Sequence, residues 1–195
     1  MKSRNLLPIL SILVLGATAC GEEPEPFAAY PFEIYTGADP AGGGATYTVP
    51  VWSNVASATF ALEGTCCTLT TGTGGEATIT ANTPGLSELV VTAGAEEQRI
   101  QIHVAEYTAA QYATGKASYE QNTCARSGCH EATSGPDNTP SAAAEHNDDA
   151  LLLNIRAGND PDGDIVRDFH RFTVPNDVVA YVRALAPKGN PGPDN

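Results

Sequence analysis

Basic side chains are scarce in this 195-residue chain: ten Lys and Arg stand against 23 Asp and Glu, a formal charge of −13. That balance excludes nucleic acid and anionic lipid as partners, because both repel an acidic surface, and it favours a basic or neutral one. Methionine is nearly missing too. The only one is Met1, so the interior of the chain offers no thioether ligand. Long apolar runs are also lacking: residues 6–15 are the nearest approach, and they fall short of the roughly 20 residues that a membrane-spanning helix needs. Aromatic residues make up 7% of the chain, which leaves few large side chains from which to build a core. The cysteine count of five is odd, so a scheme that pairs every cysteine within the chain is excluded.

The short apolar run follows Lys2 and Arg4 and ends in Gly16, Ala17, Thr18, Ala19 and Cys20. A basic start, an apolar middle and small residues before a cut are the order of a secretory signal peptide, here residues 1–19. The Ala17-Thr18-Ala19-Cys20 end resembles a bacterial lipobox, which implies lipidation of Cys20, and Gly21 rather than Asp after that cysteine implies, in lipoprotein families, sorting to the outer membrane, on its periplasmic or cell-surface face. An ordinary signal peptide cut near Ala19, with Cys20 left free, is the alternative. Residues 20–31 are acidic and Pro-rich at their start and suit an extended linker.

Residues 32–105 alternate apolar and polar side chains over short stretches, as half-buried strands do: Tyr47-Val49-Val51, Ala58-Phe60-Leu62, Ala77-Ile79-Ala81, Leu89-Val91 and Ile100-Ile102-Val104. Turn signals at Gly42-Gly43-Gly44, Gly64, Pro84-Gly85 and Gly94 separate them, a spacing that favours a β-sandwich. Together with Val51-Trp52-Ser53 and residues 75–81, the pattern resembles bacterial Ig-like domains, which implies a spacer or, alternatively, a binding module. Cys66 and Cys67 are neighbours, with Cα atoms about 3.8 Å apart, below the ordinary disulfide range. Two readings stay open: one buried and one exposed thiol, or a vicinal disulfide.

Beyond Val104 the texture becomes helical. Residues 108–119 are Ala-rich with Thr108 as a natural N-cap, residues 147–157 suit a second helix, and residues 175–185 a third, with Pro175 in its first turn. Residues 187–195 are Pro/Gly-rich and suit a disordered tail. Between the first two helices stands Cys124-Ala125-Arg126-Ser127-Gly128-Cys129-His130. Two thiols and an imidazole so close together look like a haem c attachment site, although four residues rather than the usual two separate the cysteines. Gly115, Tyr119 and Val179-Ala180-Tyr181-Val182-Arg183-Ala184-Leu185 resemble, in their order around that segment, the class I cytochromes c. The resemblance covers residues 107–186. It implies one haem, bound covalently at Cys124 and Cys129 with His130 as proximal iron ligand, and one-electron transfer with a redox protein.

That family commonly supplies a distal Met, and this chain has none to supply. His170, within Asp168-Phe169-His170-Arg171-Phe172, is the candidate second ligand, and His146 is the runner-up. His103, on the face opposite Ile100, Ile102 and Val104, is expected to be exposed and without a role. Other uses of the same cysteines are a Cys124–Cys129 disulfide in a non-haem binding or adhesion lipoprotein, or a zinc site that lacks a clear fourth ligand. The expectation is therefore a multidomain chain, an N-terminal all-β Ig-like sandwich followed by a C-terminal all-α cytochrome c-like domain, acting as an electron carrier rather than an enzyme.

Overall fold

The computed structural model describes residues 25–39, 41–43, 45–122, 140–157 and 173–186. Among the described residues, eight strands form two four-stranded sheets. One has the order β1 (Ala29–Tyr30), β3 (Tyr47–Ser53), β6 (Glu76–Ala81), β5 (Cys67–Thr71), with every pair antiparallel. The other has the order β2 (Ile34–Ala38), β8 (Glu96–Glu106), β7 (Gly85–Ala93), β4 (Thr59–Glu63), in which only β2 with β8 is parallel. The period-two alternation of the sequence becomes the two-layer core. Tyr47, Val49, Val51, Ala77 and Ile79 from the first sheet are buried, as are Ile34, Leu89, Val91, Ile100 and Ile102 from the second.

Among the described residues four helices follow, α1 (Ala109–Gln121), α2 (Pro140–Ala143), α3 (Asp148–Ala157) and α4 (Val178–Val182). Helix α1 opens with a complete capping box, in which the Thr108 hydroxyl accepts from the Gln111 N–H and the Gln111 side chain accepts from the Thr108 N–H. At α3 the Asn147 side chain accepts from the Ala150 N–H, and Asp148 and Asp149 place negative charge in the first turn. Helix α4 is shorter than the expected 175–185 because its flanks are held by i→i+3 bonds, from Val178 to Pro175 at one end and from Leu185 to Val182 at the other.

The structure corrects the expected fold class and, with it, the resemblance to class I cytochromes c. The described part of the chain is mainly β, and no all-α cytochrome-like domain is present in it. The physical reason lies in where the short helices find cover. Strand β2 is a sheet edge, so one side of its backbone needs partners. At Tyr35 those partners come from the helical segment: the Tyr35 N–H donates to the Ala144 carbonyl over 2.8 Å, and the Tyr35 carbonyl accepts from the Arg183 guanidinium. Ala143 and Ala144 are buried in the same continuous core as the strands. Helices α2, α3 and α4, of four, ten and five residues, are too short to be stable by themselves, and part of their cover comes from the sandwich.

Candidate functional site

The junction between sandwich and helices is built around one buried charge. Arg183 is 1% exposed, yet all the groups around its guanidinium are acceptors. Nε and Nη2 lie 2.9 and 2.8 Å from Asp148 Oδ1, Nη2 donates to the His146 carbonyl over 2.7 Å, and Nη1 donates to the carbonyls of Tyr35 and Ala143. Asp148 accepts a further bond on its other oxygen from the Tyr107 hydroxyl, at 2.6 Å. A buried cation survives only with its donors satisfied, and here the fork reaches β2, the end of α2, and α3 at once. Burial, more than the neighbouring Asp148, pushes the Tyr107 phenol well above its ordinary range, while Arg183 opposes the rise.

Helix α1 reaches the same junction by crossing α4 at Gly115. A Cβ at Gly115 would collide with the Asp177 carbonyl, so the absence of a side chain sets the closeness of the crossing. Tyr119 is buried beside it, its ring centroid 5.1 Å from that of Tyr181, and Tyr112 approaches Tyr181 at 5.5 Å. The helix ends at Gln121, with Asn122 as its C-cap, two residues before Cys124.

On the outer face of the second sheet a shallow groove of about 510 Å³ runs between β2, β7, β8 and the start of α3. Tyr35, Leu86 and His103 line it, with Asp148 and Asp149 at its rim. His103 stacks on Tyr35 at 4.6 Å between ring centroids, and its Nε2 lies 3.1 Å from Glu33. Glu33 also accepts from the Tyr35 hydroxyl and raises the pKa of that phenol. His103 is thus half-buried and partnered, where the sequence pointed to an exposed side chain.

Of the residues singled out from the sequence, Cys20, Cys124, Cys129, His130 and His170 lie outside the described residues. His146 is half-buried, and its backbone is tied at both polar groups, the N–H to Ala143 and the carbonyl to Arg183. Among the described residues no three or more His, Cys, Asp or Glu side chains gather where they could hold a metal ion. No helix among them is long and apolar enough to cross a membrane. The functional signal that sequence reasoning missed is Arg183 itself. An Arg inside the 179–185 stretch reads as a solvated side chain, and only the tertiary structure brings four acceptors to it, Asp148 Oδ1 and three carbonyls.

No protein-family model matches this chain, and a search of curated proteins finds none similar to it. Among solved structures, domains 4 and 5 of the S-layer protein SbsC match with a TM-score of 0.30 at 17% identity. The match covers 42% of this chain and 45% of that one, less than half of either.

Proposed function

We propose that this chain is an exported, lipid-anchored electron carrier in which Cys124 and Cys129 would hold one haem covalently and His130 would be a ligand to its iron. The observation that carries the reading is the Cys124-to-His130 segment itself, which offers two thiols and an imidazole in seven residues directly after α1. Helix α1 leads into the segment, and its crossing with α4 and the Arg183 cluster fix that lead to the sandwich. The residues expected to hold the group are Cys124, Cys129 and His130, with His170 as the further candidate ligand and His146 after it. When bound, haem supplies a ferrous/ferric couple, and bis-His ligation sets a lower potential than His/Met ligation does. The leader in residues 1–19 and the lipobox-like Cys20 support export and anchoring. The acidic composition favours a basic redox partner, whose association weakens as salt rises.

The test is a pyridine haemochrome spectrum and a haem stain of a denaturing gel, on full-length protein from a host that matures c-type cytochromes. The expected result is a stained band with a c-type α peak, absent from the Cys124→Ala/Cys129→Ala variant. A colourless wild-type band from that host overturns the reading and supports the other one, a binding lipoprotein whose Cys124 and Cys129 pair with each other.

A further inference from the structure

Two neighbouring residues of a strand send their side chains to opposite faces, so adjacent cysteines in a regular strand cannot share a pocket. Cys66 and Cys67 do share one. Cys66 lies in the bend that precedes β5, and Cys67 is the first residue of that strand. The bend turns both side chains inward: both are buried, at 4% and 6% exposure, and their sulfurs stand 3.3 Å apart. The backbone at this point is fixed from the next turn, because the Cys66 carbonyl accepts from both the Asn82 and the Thr83 N–H groups. Ser87 Oγ lies 2.8 Å from Cys66 Sγ and gives that sulfur a polar partner.

A soft metal ion is one use for two such thiols, but the spacing argues against it. Metal–sulfur bonds of about 2.3 Å put two sulfurs roughly 3.8 Å apart in a tetrahedral site and roughly 4.6 Å apart in a linear one. At 3.3 Å the pair is already closer than either arrangement, and no third His, Cys, Asp or Glu joins it among the described residues. What remains is a short closure between the two sulfurs.

We propose that the exported protein carries Cys66 and Cys67 as a vicinal disulfide. The inference rests on the export reading above, since an oxidising compartment must supply the oxidant, which is a disulfide of the thiol–disulfide exchange class. One cysteine, as thiolate, attacks that disulfide and releases one donor thiol, leaving a mixed disulfide on the protein. The neighbouring thiolate then attacks the cysteine sulfur of the mixed disulfide and displaces the second donor thiol. The protein pair loses two electrons, the donor gains them, and the two cysteine protons end on the two released thiols. Burial and the Cys66 neighbour raise the Cys67 thiol above its ordinary range, which disfavours in the folded state the thiolate that exchange requires.

The experiment uses full-length protein recovered from the exported fraction, quenched in acid and alkylated under denaturing conditions with and without prior reduction. Cleavage after Glu63 and Glu76 releases residues 64–76, which contain Cys66 and Cys67 and no other cysteine. Without reduction this peptide is expected to carry no alkyl group and to weigh two hydrogen atoms less than the dithiol. After reduction it is expected to take up two alkyl groups. Two alkyl groups without reduction overturn the proposal, as does a link from either residue to Cys124 or Cys129. Cell fractionation reports export separately: a chain retained in the cytoplasm overturns the export reading, while an exported chain with two free thiols overturns the disulfide alone.

Discussion

Tyr47 and Tyr107 lie with ring centroids 5.7 Å apart, both almost fully buried, and they differ in what their hydroxyls meet. Tyr107 donates to Asp148 at 2.6 Å, whereas the Tyr47 hydroxyl has no hydrogen-bonding partner among the described residues. Removing a bond to a charged acceptor costs about 1.5–3 kcal/mol, and removing an unpaired buried hydroxyl costs nothing or stabilises. Urea denaturation of Tyr107→Phe should therefore show a loss near 2 kcal/mol, while Tyr47→Phe should match or exceed the wild type. Both phenols are raised above their ordinary value of 10.0, chiefly by burial. The unfolded chain then ionises before the folded one as pH climbs. The stability these two residues give is complete below about pH 10 and is lost as pH rises from there toward their higher folded values. Phe at both positions should flatten the alkaline limb of the stability curve; an unchanged limb would remove both residues from that role. Little of this was legible in the sequence, because Tyr107 sits just after a strand and Asp148 at the start of a helix 41 residues away.

Strands with strict alternation were legible as elements, and β3, β6, β7 and β8 stand where Tyr47-Val49-Val51, Ala77-Ile79-Ala81, Leu89-Val91 and Ile100-Ile102-Val104 placed them. Edge strand β4 was legible as well, from Ala58-Phe60-Leu62, but the edge strands β1 and β2 were not. Ala29–Tyr30 is two residues long, and Ile34–Ala38 is buried at four of its five positions, so neither shows a period of two. Helix α1 was legible because its start is written locally, in Thr108 and Gln111. How the helices are used was not legible, since it depends on β2 having an open edge. Gly115 carries the clearest prediction at this scale. A methyl group there meets the Asp177 carbonyl, which belongs to the backbone and cannot swing aside. Gly115→Ala should force α1 and α4 apart at a cost of about 1–3 kcal/mol, typical of overpacking, despite the better helix propensity of Ala. Amide hydrogen exchange should show lost protection in residues 109–121 and 178–182 with the sheet amides unchanged. Equal or greater stability of the variant would mean that the crossing is looser than described.

At the scale of the whole molecule, the question is whether sandwich and helices unfold as one body, and the Arg183 cluster decides it. The helical segment joins the sheet core through the buried Ala143 and Ala144, and it is tied there by a few polar groups: the Ala144 carbonyl on the Tyr35 N–H, the Tyr107 hydroxyl on Asp148, and Arg183 on the Tyr35 carbonyl. Arg183 takes part in the last two, directly or through Asp148. Its removal strands one carboxylate and the carbonyls of Tyr35, Ala143 and His146 near the interior, and breaking a buried ion pair from one side costs about 3–5 kcal/mol. Asp148 is partly exposed, so water offsets some of that and the lower end applies. Lys cannot replace the fork, because a single ammonium cannot reach Asp148 and three carbonyls from one position. The wild type should therefore unfold in one calorimetric transition, and both Arg183→Met and Arg183→Lys should split it. In each variant the helical segment should melt first and become open to protease near residues 140–157, while the sheets melt close to the wild-type temperature. A single transition that merely moves to lower temperature would show the sandwich to be no more stable than its helical cover, and the two would then be parts of one cooperative core.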